Sequence, residues 1–391
     1  MISEEKARDK ILETVRPLPA RHVSIVDALD CFATEDCFAR LPLPTFDNSQ
    51  MDGYAITAGD GRVGKRLRLT GEQPAGVNRN LRVFPGETVR IFTGAPMPAG
   101  ADAVVMQEEV TRNGDEIVIN TNVAAGEFIR RRGCDLSEGQ KILGKGERIR
   151  AATLALLASQ GCDKVAVGGK PRVAIVSTGD ELATPGKKLR SGQIYESNSI
   201  LLQSLLRRCG VATASIQHCK DSEKSLQRAF ETAARNEVLI VSGGVSVGEH
   251  DLVQSALRDL GGKINIWRVA IKPGKPFLFG RLGKCALFGL PGNPVSAFVT
   301  FLQFVRPAIL KIMGAGSFDL PKVQAKLTVD LTNDGDRVHY FRGTFESGNF
   351  VPVGRQESHA LFGLSRSNAL LRLAVGESRR AGDTIEIETW D

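Results

Sequence analysis

Ser242 to Asp251 read Ser-Gly-Gly-Val-Ser-Val-Gly-Glu-His-Asp, directly after the apolar run Val238–Val241. A buried strand that runs into such a loop can present bare backbone N–H groups to a phosphate. Gly243 and Gly244 keep the backbone uncovered, and Ser242 and Ser246 add hydroxyls. The same junction occurs twice more. Val173–Val176 runs into Ser177-Thr178-Gly179-Asp180-Glu181, and Phe288–Leu290 runs into Pro291-Gly292-Asn293-Pro294-Val295-Ser296. Junctions of one chemical type predict one site at the carboxyl edge of a parallel sheet, suited to a phosphorylated small molecule. Thr178, Gly179, Ser242, Gly243, Gly244, Ser246, Pro291 and Asn293 are the expected contacts.

Carboxylates gather at the same junctions: Asp180, Glu181, Asp221, Glu249 and Asp251. Beside a phosphate they repel it unless a cation lies between. Magnesium prefers one or two carboxylates plus phosphate oxygens and water, so Mg²⁺ is the expected cation, with Glu181, Asp221 and Asp251 as candidate ligands. Asp180 or Glu181 taken singly also reads as a cap of a turn. Lys272-Pro273-Gly274-Lys275-Pro276 puts Lys272 and Lys275 on a rigid turn, as an oxyanion clamp or as a solvated surface turn. In the N-terminal part, Asp47 to Ala55 crowds Asp47, Asn48, Ser49, Gln50 and Asp52 into a few residues. Thr93-Gly94-Ala95-Pro96 is a second tight, hydroxyl-bearing loop.

The elements that must position these loops follow from periodicity. Between about Val173 and Leu310 strands alternate with helices. Strands are expected at Val173–Val176, Val211–Ile216, Val238–Val241, Ile264–Ile271, Phe277–Phe279 and Ala286–Leu290. Helices are expected at Ser199–Arg208, Ser222–Arg235 and Asp251–Leu260, and from Pro294 to about Ile312 with Asn293 as cap. This pattern is a doubly wound α/β domain, assigned to residues 169–315. Residues 1–168 form an N-terminal and linker region. Gly-broken, β-prone runs within about 50–145 make an inserted β module. Helices over residues 3–16 and Ala151–Gln160 flank the insertion and are expected to pair. Residues 318–391 read as a C-terminal β barrel or sandwich.

Bulk properties narrow the function. At 391 residues the chain is multidomain, and 42% hydrophobic with 24% charged residues is a globular composition. No apolar run is long enough to span a bilayer, so no membrane partner is expected. Met1–Val15 reads as an amphipathic helix and not a signal peptide. The seven cysteines are scattered and contain no C-x-x-C pair, which fits a reducing cytoplasm. The net charge of +7 suits an anionic metabolite. With only 6% aromatics there is no stacking platform for nucleic acid, and Arg130-Arg131-Arg132 is the single tight basic cluster. The P-loop pattern G-x-x-x-x-G-K-[ST] and H-E-x-x-H are absent.

At these residues the chain resembles the molybdopterin molybdotransferase (MoeA) family, to which the E domain of gephyrin is similar. The matching stretches are LPLPTFDNSQMDGYA from Leu41, TGAPMPAGADAVVMQE from Thr93, RRRGCDLSEG from Arg130, PRVAIVSTGDEL from Pro171, SGGVSVGEHD from Ser242, IKPGKP from Ile271 and LPGNPVSA from Leu290. The resemblance implies an elongated N-terminal region with an inserted β module, a central adenylyltransferase-like α/β domain and a C-terminal β barrel. It implies a homodimer whose site lies between the central domain of one protomer and the N-terminal region of its partner. The implied reaction moves molybdenum from molybdate into adenylylated molybdopterin with Mg²⁺, releasing AMP, and other proteins of molybdenum cofactor biosynthesis are implied partners. Carried over by motif, Glu181, Asp221, Asp251 and Lys272 act from the central domain, and Asp52, Thr93, Arg130 and Asp135 from the partner. Arg342, Ser358 and Ser365 match more loosely. Gln50 stands where the family usually has alanine, and Arg268 where many members have lysine. Two other functions stay open at this point. One is a pterin adenylyltransferase, against which Val245 after Gly244 argues, since that class carries threonine there. The other is a gephyrin-type scaffold.

Overall fold

The computed structural model describes residues 1–245 and 252–390. The chain divides into two compact units. One comprises Met1–Glu35, Gly144–Ala155 and Cys162–Asp391; the other comprises Asp36–Leu143 and Leu156–Gly161.

In the larger unit a six-stranded sheet has the order Thr213–Cys219, Val173–Thr178, Val238–Ser242, Cys285–Leu290, Leu278–Leu282, Lys263–Trp267. The first four strands are parallel, and the last two join antiparallel. Val173–Val176 and Val238–Val241 are apolar at every position because both faces of the sheet are covered. Ile175, Ile240 and Phe288 face Leu202, Leu205 and Leu206 of the Asn198–Arg208 helix and the long helix from Pro294. Val176, Leu239 and Val241 face Leu226 and Phe230 of Glu223–Ala233 and Val253 and Leu257 of Leu252–Asp259. Each such side chain, fully buried, stabilises the domain by about 2 kcal/mol before entropy is counted.

The strand expected over Ile264–Ile271 is two separate pieces. Lys263–Trp267 belongs to the central sheet, whereas Ile271–Lys272 pairs with Val338–His339 of the C-terminal domain. The break falls at Arg268, whose φ of 65° lies in the left-handed region. No side-chain periodicity announces a non-glycine residue there.

The long helix runs from Pro294 to Ile312 with a π-turn at Phe301–Val305. It is apolar enough to cross a membrane by length and composition, but 89% of it is buried as the core helix of this unit. Asn293 holds the N-cap position through its backbone, yet its side chain makes no cap bond. The Glu4–Thr14 helix carries Ala7 and Ile11 into the same core and packs on Phe301–Ile312, not on Ala151–Ser159 as expected. The flanks of the insertion do meet, but as strands: Arg21–Ser24 pairs antiparallel with Lys164–Val167. The C-terminal strands Val338–Glu346, Asn349–Pro352, Lys322–Leu327, Thr384–Thr389 and Ala369–Leu373 close into a five-stranded barrel around Leu327, Phe341, Phe350, Leu371 and Ile385.

In the smaller unit a six-stranded sheet runs Ala103–Met106, Gly53–Ile56, Glu87–Ile91, Arg66–Gln73, Glu116–Ile119, Val110–Asn113. Gly53 is required by close approach. A Cβ there would stand 2.0 Å from the Val105 carbonyl oxygen, which is backbone and cannot move aside. Gly53→Ala is therefore expected to destabilise this unit by about 3 kcal/mol. A urea melt followed by a probe in the unit checks it, and an unchanged midpoint rules the clash out.

Candidate active site

The carboxyl edge of the parallel strands gathers the three loops. Thr178 ends one strand and donates its hydroxyl proton to Asp221, which follows the neighbouring strand. The Asp221 backbone N–H reaches the Asp180 carboxylate at 3.4 Å, so Asp180 serves in part as a turn cap. Gly243 has a φ of 91°, and its N–H donates to the Leu290 carbonyl at 3.1 Å. A Cβ on Gly243 would lie 2.4 Å from the Thr178 carbonyl oxygen, so the first two loops approach as closely as only glycine allows.

Asn198 was not expected from the sequence. It is 8% exposed, and its Nδ2 donates to Ser242 Oγ at 2.9 Å and to the Gly292 carbonyl at 2.8 Å. One amide thus ties the second loop to the third. Its Oδ1 is buried and has no partner among the described residues. The Glu-Ser-Asn-Ser stretch at 196–199, a run of polar residues at the start of an amphipathic helix, is the signal that could have flagged it. Glu181 and Asp221 are both exposed at this edge. Ser246, Glu249 and Asp251 lie outside the described residues. Among the described residues, no group of three His, Cys, Asp or Glu side chains is placed to hold a metal by itself.

The C-terminal domain closes on this edge. Asn293 Nδ2 donates to Ser358 Oγ at 2.9 Å, and the Val295 N–H donates to the Ser358 carbonyl at 3.1 Å. Arg342, fully buried, holds the loop that carries Ser358 by donating to the carbonyls of Arg355 and, at 3.3 Å, Glu357. Arg342 is thereby committed to structure. Ser365, exposed, donates to the Phe362 carbonyl at 2.8 Å within its own short helix.

Lys272 is exposed in the strand Ile271–Lys272 and stands in register with His339. Lys275 is half-buried three residues on. Burial pushes His339 down to about 4, helped by the charges of Lys272, Arg342 and Arg337 and opposed by Asp334. The folded protein therefore holds this imidazole neutral. Its contribution is complete above the ordinary value of 6.5 and is lost as pH falls from there toward about 4. Discounted for solvent screening, the loss is about 2 kcal/mol. His339→Gln should flatten urea-midpoint stability over that pH window; an unchanged slope would exclude His339 as its source.

The smaller unit brings its own motifs together through backbone pairing. Asn48–Ser49 pairs with Ile129–Arg130 on one side. On the other, Ser49 accepts from the Gly94 N–H at 2.8 Å and donates to the Ala95 carbonyl at 3.0 Å. Asp52 precedes the Gly53–Ile56 strand and Thr93 follows its neighbour Glu87–Ile91. The Thr93 N–H and hydroxyl both donate to Asp52 Oδ1 at 2.8 Å, and together they hold this carboxyl below its usual range. In the arginine cluster, Arg131 pairs with Asp47 at 2.7 Å and Arg132 with Glu138 at 3.9 Å. Arg130 is exposed and has no acidic partner among the described residues. The Arg132 N–H and the Arg131 guanidinium hold Asp47 low. Asp135 is exposed, its N–H bound to the Leu43 carbonyl at 3.0 Å.

Three family profiles match successive parts of the chain: the MoeA N-terminal region (domains I and II) over residues 2–161, a probable molybdopterin binding domain over 174–311, and the MoeA C-terminal region (domain IV) over 324–390. The chain is 37% identical to a molybdopterin molybdenumtransferase of Haemophilus influenzae, covering 100% of this chain and 99% of the relative. It is 34% identical to molybdopterin molybdenumtransferase 2 of Mycobacterium tuberculosis, over 100% of both chains. A crystal structure of the molybdopterin biosynthesis MoeA protein from Pyrococcus horikoshii OT3 superposes with a TM-score of 0.82 at 30% identity, over 100% of both chains. These matches extend through the regions on both sides of the central domain, which a stand-alone adenylyltransferase would lack.

Proposed function

From the premise that the chain belongs to the molybdopterin molybdenumtransferase family, transferases of molybdenum cofactor biosynthesis, we propose that it inserts molybdenum from molybdate into adenylylated molybdopterin and releases AMP. The observation that carries this reading is the union of three glycine- and hydroxyl-bearing loops at one sheet edge, the first packed on the second at Gly243 and the second tied to the third by Asn198. Backbone N–H groups of such loops bind a pyrophosphate without bringing in a counter-charge of their own.

Each residue then has a definable task. Ser242, Gly243, Gly244, Pro291 and Asn293 cradle the phosphate end. Thr178 orients Asp221 by donating to it, leaving the second carboxylate oxygen for the site. Glu181 and Asp221 offer hard oxygen donors suited to Mg²⁺ with phosphate oxygens and water completing the shell. Bound there, the ion supplies charge neutralisation for pyrophosphate cleavage. Lys272 and Lys275 add mobile positive charge for an oxyanion. Molybdate is a tetrahedral dianion and needs N–H, hydroxyl and cationic donors. Arg130 is an exposed cation without an acidic partner among the described residues. The Asp52–Thr93 pair holds the Thr93 loop in place on the other side of the Asn48–Ser49 strand.

Two clusters that each hold part of this chemistry fit a homodimer in which they come from different protomers. The direct test is incubation with adenylylated molybdopterin and Mg²⁺, with and without molybdate, while AMP is followed. AMP should appear in a molybdate-dependent way. Equal release without molybdate, or none with it, overturns the assignment.

A further inference from the structure

The amino edge of the central sheet carries a separate cavity of about 440 Å³, a volume typical of small-molecule sites. Arg16, Arg172, Arg235, Arg281 and Lys284 ring it, against a single acid, Glu237. Glu237 is already engaged. It accepts from the Arg172 N–H at 2.7 Å and from its guanidinium at 3.4 Å, and these bonds outweigh burial and hold it below its usual range. Arg16, Arg235, Arg281 and Lys284 are exposed and have no acidic partner among the described residues. So many like charges around one hollow repel one another, and an anion placed there relieves the repulsion.

The floor of the cavity is apolar. Val15, Leu18, Ala286 and Ile312 line it, and Val15, Ala286 and Ile312 are buried hydrophobics. A bare hydrated anion would make no use of such a floor, whereas a short aliphatic body would. No aromatic side chain lines the cavity, so a stacked nucleobase is disfavoured. The position is distinct from the candidate active site. Paired strands begin here at Val173, Val238 and Ala286 and reach that site at Ser177, Ser242 and Leu290. Four residues of extended strand separate the two ends by about 13 Å. The Pro294–Ile312 helix likewise starts beside one and ends at the other.

We propose that the cavity ringed by Arg16, Arg172, Arg235, Arg281 and Lys284 binds a small organic phosphate with an aliphatic body. The test uses the full chain and calorimetric titration with hexyl phosphate, with inorganic phosphate, and with vesicles containing phosphatidylglycerol. Hexyl phosphate should bind saturably and more tightly than inorganic phosphate, and should raise the melting temperature by mass action. The double substitution Arg235→Ala with Lys284→Ala should weaken it by about tenfold or more, since it removes two charge-assisted contacts. Both residues are exposed, so the variant should keep its melting temperature without ligand. Arg235→Lys with Lys284→Arg should retain binding. Absence of saturable hexyl phosphate binding, equal affinity for inorganic phosphate, an unaffected double variant, or binding to vesicles alone would each overturn the proposal.

Discussion

Asp221→Asn should lower molybdate-dependent turnover by about a hundredfold or more while leaving the melting temperature nearly unchanged. The geometry separates the two effects. Asn keeps the acceptor oxygen that takes the Thr178 hydroxyl proton, and Asp221 is exposed, so the fold loses little. What it loses is the negative charge. If that charge holds a cation against the pyrophosphate, no neutral isostere replaces it. The variant should also need more Mg²⁺ for half-maximal rate. Thr178→Val should give a smaller loss, because it frees the carboxylate to rotate without discharging it. Near-normal turnover in Asp221→Asn would reduce Asp221 to a structural partner of Thr178 and remove the magnesium reading with it.

Mixing an Asp52→Ala chain with an Asp221→Ala chain should restore activity that neither has alone. Asp52 belongs to the smaller unit and Asp221 to the larger one. If each working site draws on both units from different protomers, a mixed dimer has one site with both defects and one site with none. Random exchange makes about half of the dimers mixed, so recovery to about a quarter of the wild-type rate is expected. Subunit exchange must be shown independently, for instance by mixing differently tagged chains. Exchange without recovery would place both carboxylates on the same protomer's site. Asp52→Ala also frees the Thr93 N–H and hydroxyl, so Asp52→Asn serves as a milder companion that keeps an acceptor.

Much of this molecule was legible in the chain before it folded. The runs at Val173–Val176 and Val238–Val241 are apolar on both faces and short, which announces strands of a sheet covered on both sides. Their glycine- and hydroxyl-rich continuations announce the loops that meet at one edge, because parallel strands of one sheet end together. Pro294 after Asn293 marked the start of the long helix, and Ser222 that of the Glu223–Ala233 helix, where its hydroxyl accepts from the Ser225 N–H. These signals are local, a matter of side-chain period and of which residues tolerate a turn.

Tertiary structure decided what no local signal carries. Asn198 joins the Ser242 and Pro291 loops because the Asn198–Arg208 helix packs on the sheet face beneath them; its own neighbours give no hint of either partner. Arg342 matches a family motif, yet its two terminal nitrogens are spent on the carbonyls of the Ser358 loop, because the fully buried side chain packs beside that loop; its Nε has no partner among the described residues. Among the described residues, Arg130 alone of three adjacent arginines is left without an acid, a sorting made by where Asp47 and Glu138 fall in space. Ile271–Lys272 leaves the central sheet for the barrel because the chain turns at Arg268 in a conformation that composition does not encode. Local periodicity thus determined the elements and the chemical type of the loops. Long-range packing determined which polar groups were already satisfied and which remained to meet a ligand.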